Sequence, residues 1–260
     1  MQVRYSVRSH RGMVRANNED NFFADGVTRL AEYGCRPFSI DAAAASPLIL
    51  AVCDGMGGEE NGETASRIAV QGLSKLQDEI KAVRGHGYKQ MVQGYINAVN
   101  GEISSCGKRS GTTLAMAMIN EKSTCCFSIG DSRIYMLKNG MFSQISVDHT
   151  QGAEIAGKGF ITAEQARLGK GGNKLTRCIG IGNCHNVDEY ASIGGKCRLL
   201  ICSDGLTDML SDHTIKQVLS EYRQIAEAAD TLLCNALNAG GKDNITIIAA
   251  DIIQTKFFCG

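Results

Sequence analysis

The sequence predicts an α+β protein built in layers, and three observations carry that prediction. Short apolar runs with strand character fall in groups separated by tight turn signals. Stretches with helical spacing come as adjacent pairs. Strand and helix do not alternate one by one, as a doubly wound parallel sheet would require.

The elements follow in order. "VRYSV" (3–7) and "EDNFFAD" (19–25) have strand character, and "PLILAVCD" (47–54) reads as a fully buried strand. "GETASRIAVQGLSKLQDEI" places apolar residues at 65, 68, 69, 73, 76 and 80, which is one face of a helix. "KQMVQGYINAVNGEISSC" repeats the pattern at 91, 92, 95, 96, 99 and 103. "GTTLAMAMIN", "KSTCCFSIG", "SRIYMLKNG" and "MFSQIS" are four short segments with turns between them, read as an antiparallel meander. Residues 148–186 are rich in glycine and charge and read as a mobile surface insertion, with one helical stretch around 163–168. "VDEYASI" and "KCRLLICSD" return to strand. "LSDHTIKQVLSEY" and "RQIAEAADTLLCNALNAGG" form a second helix pair, and "NITIIAADII" closes as a strand.

Bulk properties narrow the function classes. The 260 residues suit one domain spanning 1–260, with no repeat or linker. Lysine plus arginine and aspartate plus glutamate both number 27, so charge points to neither nucleic acid nor a membrane surface. No apolar run is long enough to span a bilayer, and "MQVRYSVRSHRG" lacks the apolar core of a signal peptide, so the expected compartment is the cytoplasm. The 11 cysteines include no Cys-x-x-Cys pair and sit mostly in apolar runs, where a reduced thiol packs as a small hydrophobe.

The acids are more informative. The run Leu48–Cys53 ends on Asp54, followed by Gly55-Met56-Gly57-Gly58. "CRLLICSDG" ends on Asp204, and "GGKDNIT" sets Asp243 just before a strand. "IGDSR" places Asp131 in a turn, and "RANNEDNFF" puts Glu19 and Asp20 at a strand start, four residues after Arg15. Each acid alone is an ordinary turn or cap residue. Together they suggest a shared site: if the strand ending at Asp204 pairs antiparallel with the one after Asp243, the two carboxylates share one end of a sheet. Asp54 would join them if its strand lies alongside. Gathered carboxylates repel, so a stable cluster calls for a cation, and oxygen-only ligands favour Mg²⁺ or Mn²⁺ over Zn²⁺.

"RANNED", "DGMGG", "SGTTL", "GDSR", "LTRCIG", "SDGL" and "GGKDNIT" occur in the order found in metal-dependent serine/threonine protein phosphatases. From about residue 6 to about 251 the chain resembles that protein phosphatase 2C, or PPM, family. The resemblance implies a four-layer αββα sandwich of two antiparallel sheets with a helix pair on each outer face. It implies two tightly held Mn²⁺ or Mg²⁺ ions, bridged by Asp54 and completed by the Gly55 carbonyl, Asp204 and Asp243. Glu19 would hold a metal through water, with Asp20 in support, and Asp131 with Asp204 would take a third, weaker ion. Arg15 would grip the substrate phosphate.

The substrates implied are phosphorylated proteins, the products of a partner serine/threonine kinase, acted on by a monomer. Where eukaryotic members carry a histidine, this chain has Met56, as many bacterial members do, which leaves the general acid open. The insertion corresponds to a flap beside the active site, flanked by His149, Thr150 and Arg177, which read as structural. A rival reading is a catalytically silent, phosphatase-like binding module, but such proteins lose metal ligands and every expected acid is present here. "GAEIAGKG" (152–159) mimics the start of a phosphate-binding loop but lacks the following Ser or Thr.

Overall fold

The computed structural model describes residues 1–29, 36–57, 61–82, 87–106, 109–159, 161–162, 165–166, 169, 171–182 and 186–253. Two six-stranded antiparallel sheets face each other. With β3 at Val27–Thr28, β4 at Phe38–Ala45, β11 at Met141–Gln144 and β12 at Asp188–Gly194, the first has the order β11-β10-β13-β14-β1-β4 and the second β12-β9-β8-β5-β2-β3, and a small two-stranded sheet pairs β6 (Gly55–Met56) with β7 (Gly111–Thr112). The strands that matter most are β1 (Gln2–His10), β2 (Asn21–Ala24), β5 (Leu48–Cys53), β8 (Leu114–Ile119), β9 (Ser123–Ile129), β10 (Arg133–Lys138), β13 (Cys197–Cys202) and β14 (Ile245–Ile253). Helices α1 (Asn61–Ala82) and α2 (Tyr88–Ser105) cover the outer face of the second sheet. Helices α5 (Asp212–Glu221) and α6 (Ile225–Asn238) cover the first.

Three apolar layers hold these four together, and strand alternation explains how. Along β5, Leu48, Leu50 and Val52 point between the sheets, while Ile49, Ala51 and Cys53 point under α1 and α2. Along β14, Ile248, Ala250 and Ile252 face the other sheet, while Ile245, Ile247 and Ala249 face α5 and α6. A strand covered on both faces has no polar side, which is why β5 reads as an unbroken apolar run and β14 as one interrupted only by Thr246 and Asp251. All eight described cysteines are free thiols, five of them buried.

Two expectations need correcting. The four segments from Gly111 to Ser146 are not one meander: β8 pairs with β9 in the second sheet, whereas β10 pairs with β11 (Met141–Gln144) in the first. The chain changes sheet at Gly130-Asp131-Ser132, because both β9 and β10 have a partner in their own sheet and the turn between them spans the sandwich. Likewise Asp54 does not lie beside Asp204 and Asp243 in one sheet, since β5 belongs to the facing sheet.

The strand β4 (Phe38–Ala45) escaped the sequence reading. Its Phe38, Ile40, Ala42 and Ala44 pack toward the inter-sheet core in alternation with exposed residues, but small alanines give a faint signal and β4 sits at an edge. The insertion is not loose throughout. Ile179 is fully buried beneath α1 and α2, and bridges join Thr112 to Ile179 and Thr150 to Leu175. Helix α3 (Gln151–Gly157), capped by Thr150, was not foreseen and occupies much of the false phosphate-loop motif. Of the expected helix at 163–168, residues 163, 164, 167 and 168 lie outside the described residues.

Candidate metal centre

Antiparallel register brings the acids to one end of the sandwich. In the second sheet Asn21 pairs with Cys53, so Asp20 and Asp54, the next residue out on each strand, stand at the same end. In the first sheet Cys202 pairs with Ile247, and Ser203 N–H continues the ladder to the Thr246 carbonyl at 3.1 Å. That leaves Asp204, the first residue of the short helix α4 (Asp204–Thr207), close to Asp243 at the foot of β14. Asp131 occupies the crossing from one sheet to the other.

Main-chain hydrogen bonds hold these positions. Asp54 N–H donates to Thr113 Oγ1 at 2.9 Å, and Thr113 Oγ1 is 2.7 Å from Ser132 Oγ, beside Asp131. Gly55 N–H donates to the Glu19 carbonyl at 3.2 Å, which also accepts from Ser66 Oγ at 2.6 Å. A side chain at Gly55 would put its Cβ 2.1 Å from the Gly62 carbonyl oxygen, so only glycine permits this approach. Asn244 joins the two halves: its Oδ1 accepts from Glu19 N–H at 2.7 Å, and its Nδ2 donates to the carbonyls of Arg11 and Asn17 at 2.9 and 2.8 Å. The loop carrying Arg15 is thereby tied to the strand that follows Asp243.

The electrostatics are those of crowded carboxylates. Burial, then Asp20, Asp204, Asp131 and Asp243 in turn, hold the Asp54 carboxyl well above the usual range. Burial, then Asp131 and Asp243, do the same to Asp204. Burial raises Asp131 to about 7, with Asp148 adding to it. Asp20 is fully buried and raised to about 6, first by that burial. Its Oδ2 accepts from Ser203 Oγ at 2.7 Å, while its Oδ1 has no hydrogen-bond partner. Arg15 Nη2 donates to Asp243 Oδ2 at 2.5 Å.

Among the described residues, no three His, Cys, Asp or Glu side chains close into a ready-made metal cage. The donor chemistry nevertheless fits a hard divalent cation: only oxygens, an orphaned buried carboxylate oxygen on Asp20, and neighbouring acids whose charges hold the carboxyls of Asp54 and Asp204 well above the usual range. The expected residues Glu19, Asp20, Asp54, Gly55, Asp131, Asp204, Asp243 and Arg15 are thus neighbours at one end of the sandwich. Sequence reasoning missed the hydroxyls that seat them, Ser66, Thr113 and Ser203. The serine between an apolar strand and the acid in "CSDGL" was the available signal.

Two openings flank the acids. One, of about 460 Å³, runs from Asp131 and Asp204 past Arg133 and Asp148 to Thr150 and Ala153 of the insertion. The other, of about 300 Å³, is lined by Arg15, Gly205, Met209, Lys242 and Asp243.

A family model described as protein phosphatase 2C matches residues 38–239. The chain belongs to the protein phosphatase 2C family. Its protein phosphatase 2C relatives include the serine/threonine protein phosphatase PstP of Mycobacterium tuberculosis, 32% identical over 264 residues, covering 98% of this chain and 46% of PstP. The chain therefore spans about half the length of that relative. The serine/threonine phosphatase stp of Listeria innocua is 31% identical over 252 residues, covering 94% of each. The crystal structure of the PstP catalytic domain in complex with 2 manganese ions superposes with a TM-score of 0.78 at 32% identity, covering 97% of this chain and 100% of that one. Two antiparallel sheets flanked by helices are thus shared with a solved member of the family.

Proposed function

We propose that this chain is a metal-dependent protein phosphatase that hydrolyses phosphoserine and phosphothreonine in protein substrates. The observation that carries the reading is the convergence of Asp54 from one sheet with Asp204 and Asp243 from the other, crowded enough that the carboxyls of Asp54 and Asp204 are both held well above the usual range, with Arg15 resting on Asp243. Family membership and the names of the relatives support it.

Asp54, the Gly55 carbonyl, Asp204 and Asp243 would hold two Mn²⁺ or Mg²⁺ ions, with Glu19 reaching a metal through water and Asp20 in support. Asp131, with Asp204, would take a third and weaker ion. Bound divalent ions acidify water for in-line attack at phosphorus and offset charge on the phosphoryl oxygens. The protein's own part is orientation. Arg15, 57% exposed beside the acids, donates its planar fork to phosphoryl oxygens. Thr113 and Asn244 keep the two sheets' acids in register. No side-chain nucleophile is needed, and the Met56 thioether supplies no proton.

A silent binding module of the same fold is the alternative, and the complete acid set speaks against it. Phosphoproteins marked by a partner serine/threonine kinase are the proposed substrates, and a cytoplasmic monomer the proposed form. Among the described residues no helix is long and apolar enough to cross a membrane. Hydrolysis of p-nitrophenyl phosphate and of a phosphothreonine peptide, assayed with Mn²⁺ and with excess chelator, tests the reading. Metal-dependent turnover is expected. Turnover that survives the chelator, or none under any metal, overturns it.

A further inference from the structure

Gly130, the residue before Asp131, is gripped from two directions by one residue of the insertion. His149 N–H donates to the Gly130 carbonyl at 2.9 Å, and Gly130 N–H donates to His149 Nδ1 at 2.9 Å. An N–H can only donate, so Nδ1 must be the unprotonated nitrogen and the ring proton sits on Nε2. Nε2 lies 2.8 Å from Asp188 Oδ2, which accepts that proton's hydrogen bond. Arg177 Nη1, 2.9 Å from Nε2, makes no hydrogen bond to that protonated nitrogen; both groups donate to Asp188, Nη1 to its two oxygens at 3.1 Å, and Nη2 reaches the Asn186 carbonyl.

The side chain is 7% exposed, and Gly130 N–H on one side and the Asp188 carboxylate on the other hold this tautomer. The His149 carbonyl accepts from Thr176 N–H at 2.9 Å, which closes the base of the insertion. On the opposite side of the turn, Gly130 has φ +104° and packs against Thr113: a Cβ there would fall 2.6 Å from Thr113 Cγ2. The Gly130-Asp131 corner is therefore held between Thr113, which also anchors Asp54, and His149.

We propose that His149 is a positioning residue for Asp131: its neutral Nδ1 and its N–H together fix Gly130, and so fix where the Asp131 carboxylate stands relative to Asp204. This rests on the proposed assignment of Asp131 to a third, weaker divalent ion. The residue acts through the main chain and touches neither substrate nor metal. Asparagine can place an amide oxygen where Nδ1 sits, keeping the acceptor for Gly130. Glutamine can place an amide nitrogen where Nε2 sits, keeping the donor to Asp188 but leaving Gly130 N–H unpaired.

The test titrates Mn²⁺ into the parent, His149→Asn, His149→Gln and Asp131→Ala by calorimetry, with melting curves and phosphothreonine-peptide turnover on the same samples. All four should keep the tight ions. Asp131→Ala should lose the weak one. His149→Gln should weaken it at least tenfold and slow peptide turnover in step, while His149→Asn stays within about threefold of the parent. A merely structural histidine would lower both melting temperatures and leave the weak ion untouched. His149→Gln binding the weak ion like the parent, or His149→Asn losing as much as His149→Gln, overturns the inference. Asp131→Ala retaining the weak ion overturns the reading of Asp131 beneath it.

Discussion

Arg15 Nη2 lies 2.5 Å from Asp243 Oδ2, with both side chains partly open to solvent at 57% and 35% exposure. A guanidinium proposed to bind phosphate thus rests on a carboxylate proposed to bind metal. Neutralising Asp243 with a cation would loosen this pair and free the arginine for substrate, linking metal loading to phosphate capture. The Arg15→Ala variant should therefore raise KM by about tenfold with kcat changed only a few-fold, because an arginine that grips phosphate would do so in ground and transition states alike. Steady-state kinetics on a phosphopeptide check this; a large fall in kcat at constant KM would contradict it.

Removing a proposed direct ligand should act on chemistry. Asp204→Asn or Asp243→Asn should lower kcat by roughly a thousandfold, the loss of about 4 kcal/mol of transition-state stabilisation. Both variants should still fold, since asparagine removes a charge from a cluster in which Asp204 already carries a strongly raised pKa. Activity and circular dichroism on the same preparations check the two halves.

Metal-free protein should become more stable on mild acidification. Asp20 at about 6 and Asp131 at about 7, with Asp54 and Asp204 also raised, bind protons more readily folded than unfolded. Their stabilising effect is full below the unfolded carboxylate pKa and is lost as pH rises through the folded values. His10 and His149, both pushed down by burial, oppose this below their ordinary range, but they are two groups against four acids. The chelated protein's Tm should therefore climb as pH falls from about 7.5 to about 5.5. Saturating Mn²⁺ should flatten or reverse that slope, and Mn²⁺ binding should release protons, seen as a heat that varies with the buffer. A chelated Tm that falls steadily over this window would refute the crowded-acid account.

Asp131→Ala should leave a folded protein that melts within a few degrees of the parent, because the residue is a desolvated acid pressed against Asp148's charge. Phosphopeptide turnover should nevertheless drop at least about tenfold, through loss of the weak ion. Full turnover in the variant would remove Asp131 from the site.

Gly55→Ala should be costly without touching any charge. The added methyl would meet the Gly62 carbonyl at 2.1 Å and the Glu19 carbonyl at 2.6 Å, both main-chain atoms that cannot swing away. We expect a loss of about 1–3 kcal/mol in stability together with weaker metal binding, as Glu19 is displaced. Denaturant melts and Mn²⁺ titration measure the two effects.

Much was legible from sequence because the physics is local. The largely apolar runs of β5 and β14 announce strands buried on both faces, and the spacing in α1 and α2 announces a shared packing face. Acids placed just outside such strands are visible for the same reason: they sit where the apolar run stops. The order of the motifs around those acids pointed to the family, and the family model agrees.

What only the tertiary structure decided is which strand ends meet. No local signal says that β9 and β10 belong to different sheets, because each is a short apolar strand that pairs equally well in a meander. Sheet membership is set by competition among all strands for partners, and that competition carries Asp131 across the sandwich toward Asp54 and Asp204. The same holds for His149. In sequence it is one polar residue at the edge of a glycine-rich stretch, and its grip on Gly130 exists only because residues 19 positions apart are folded into contact.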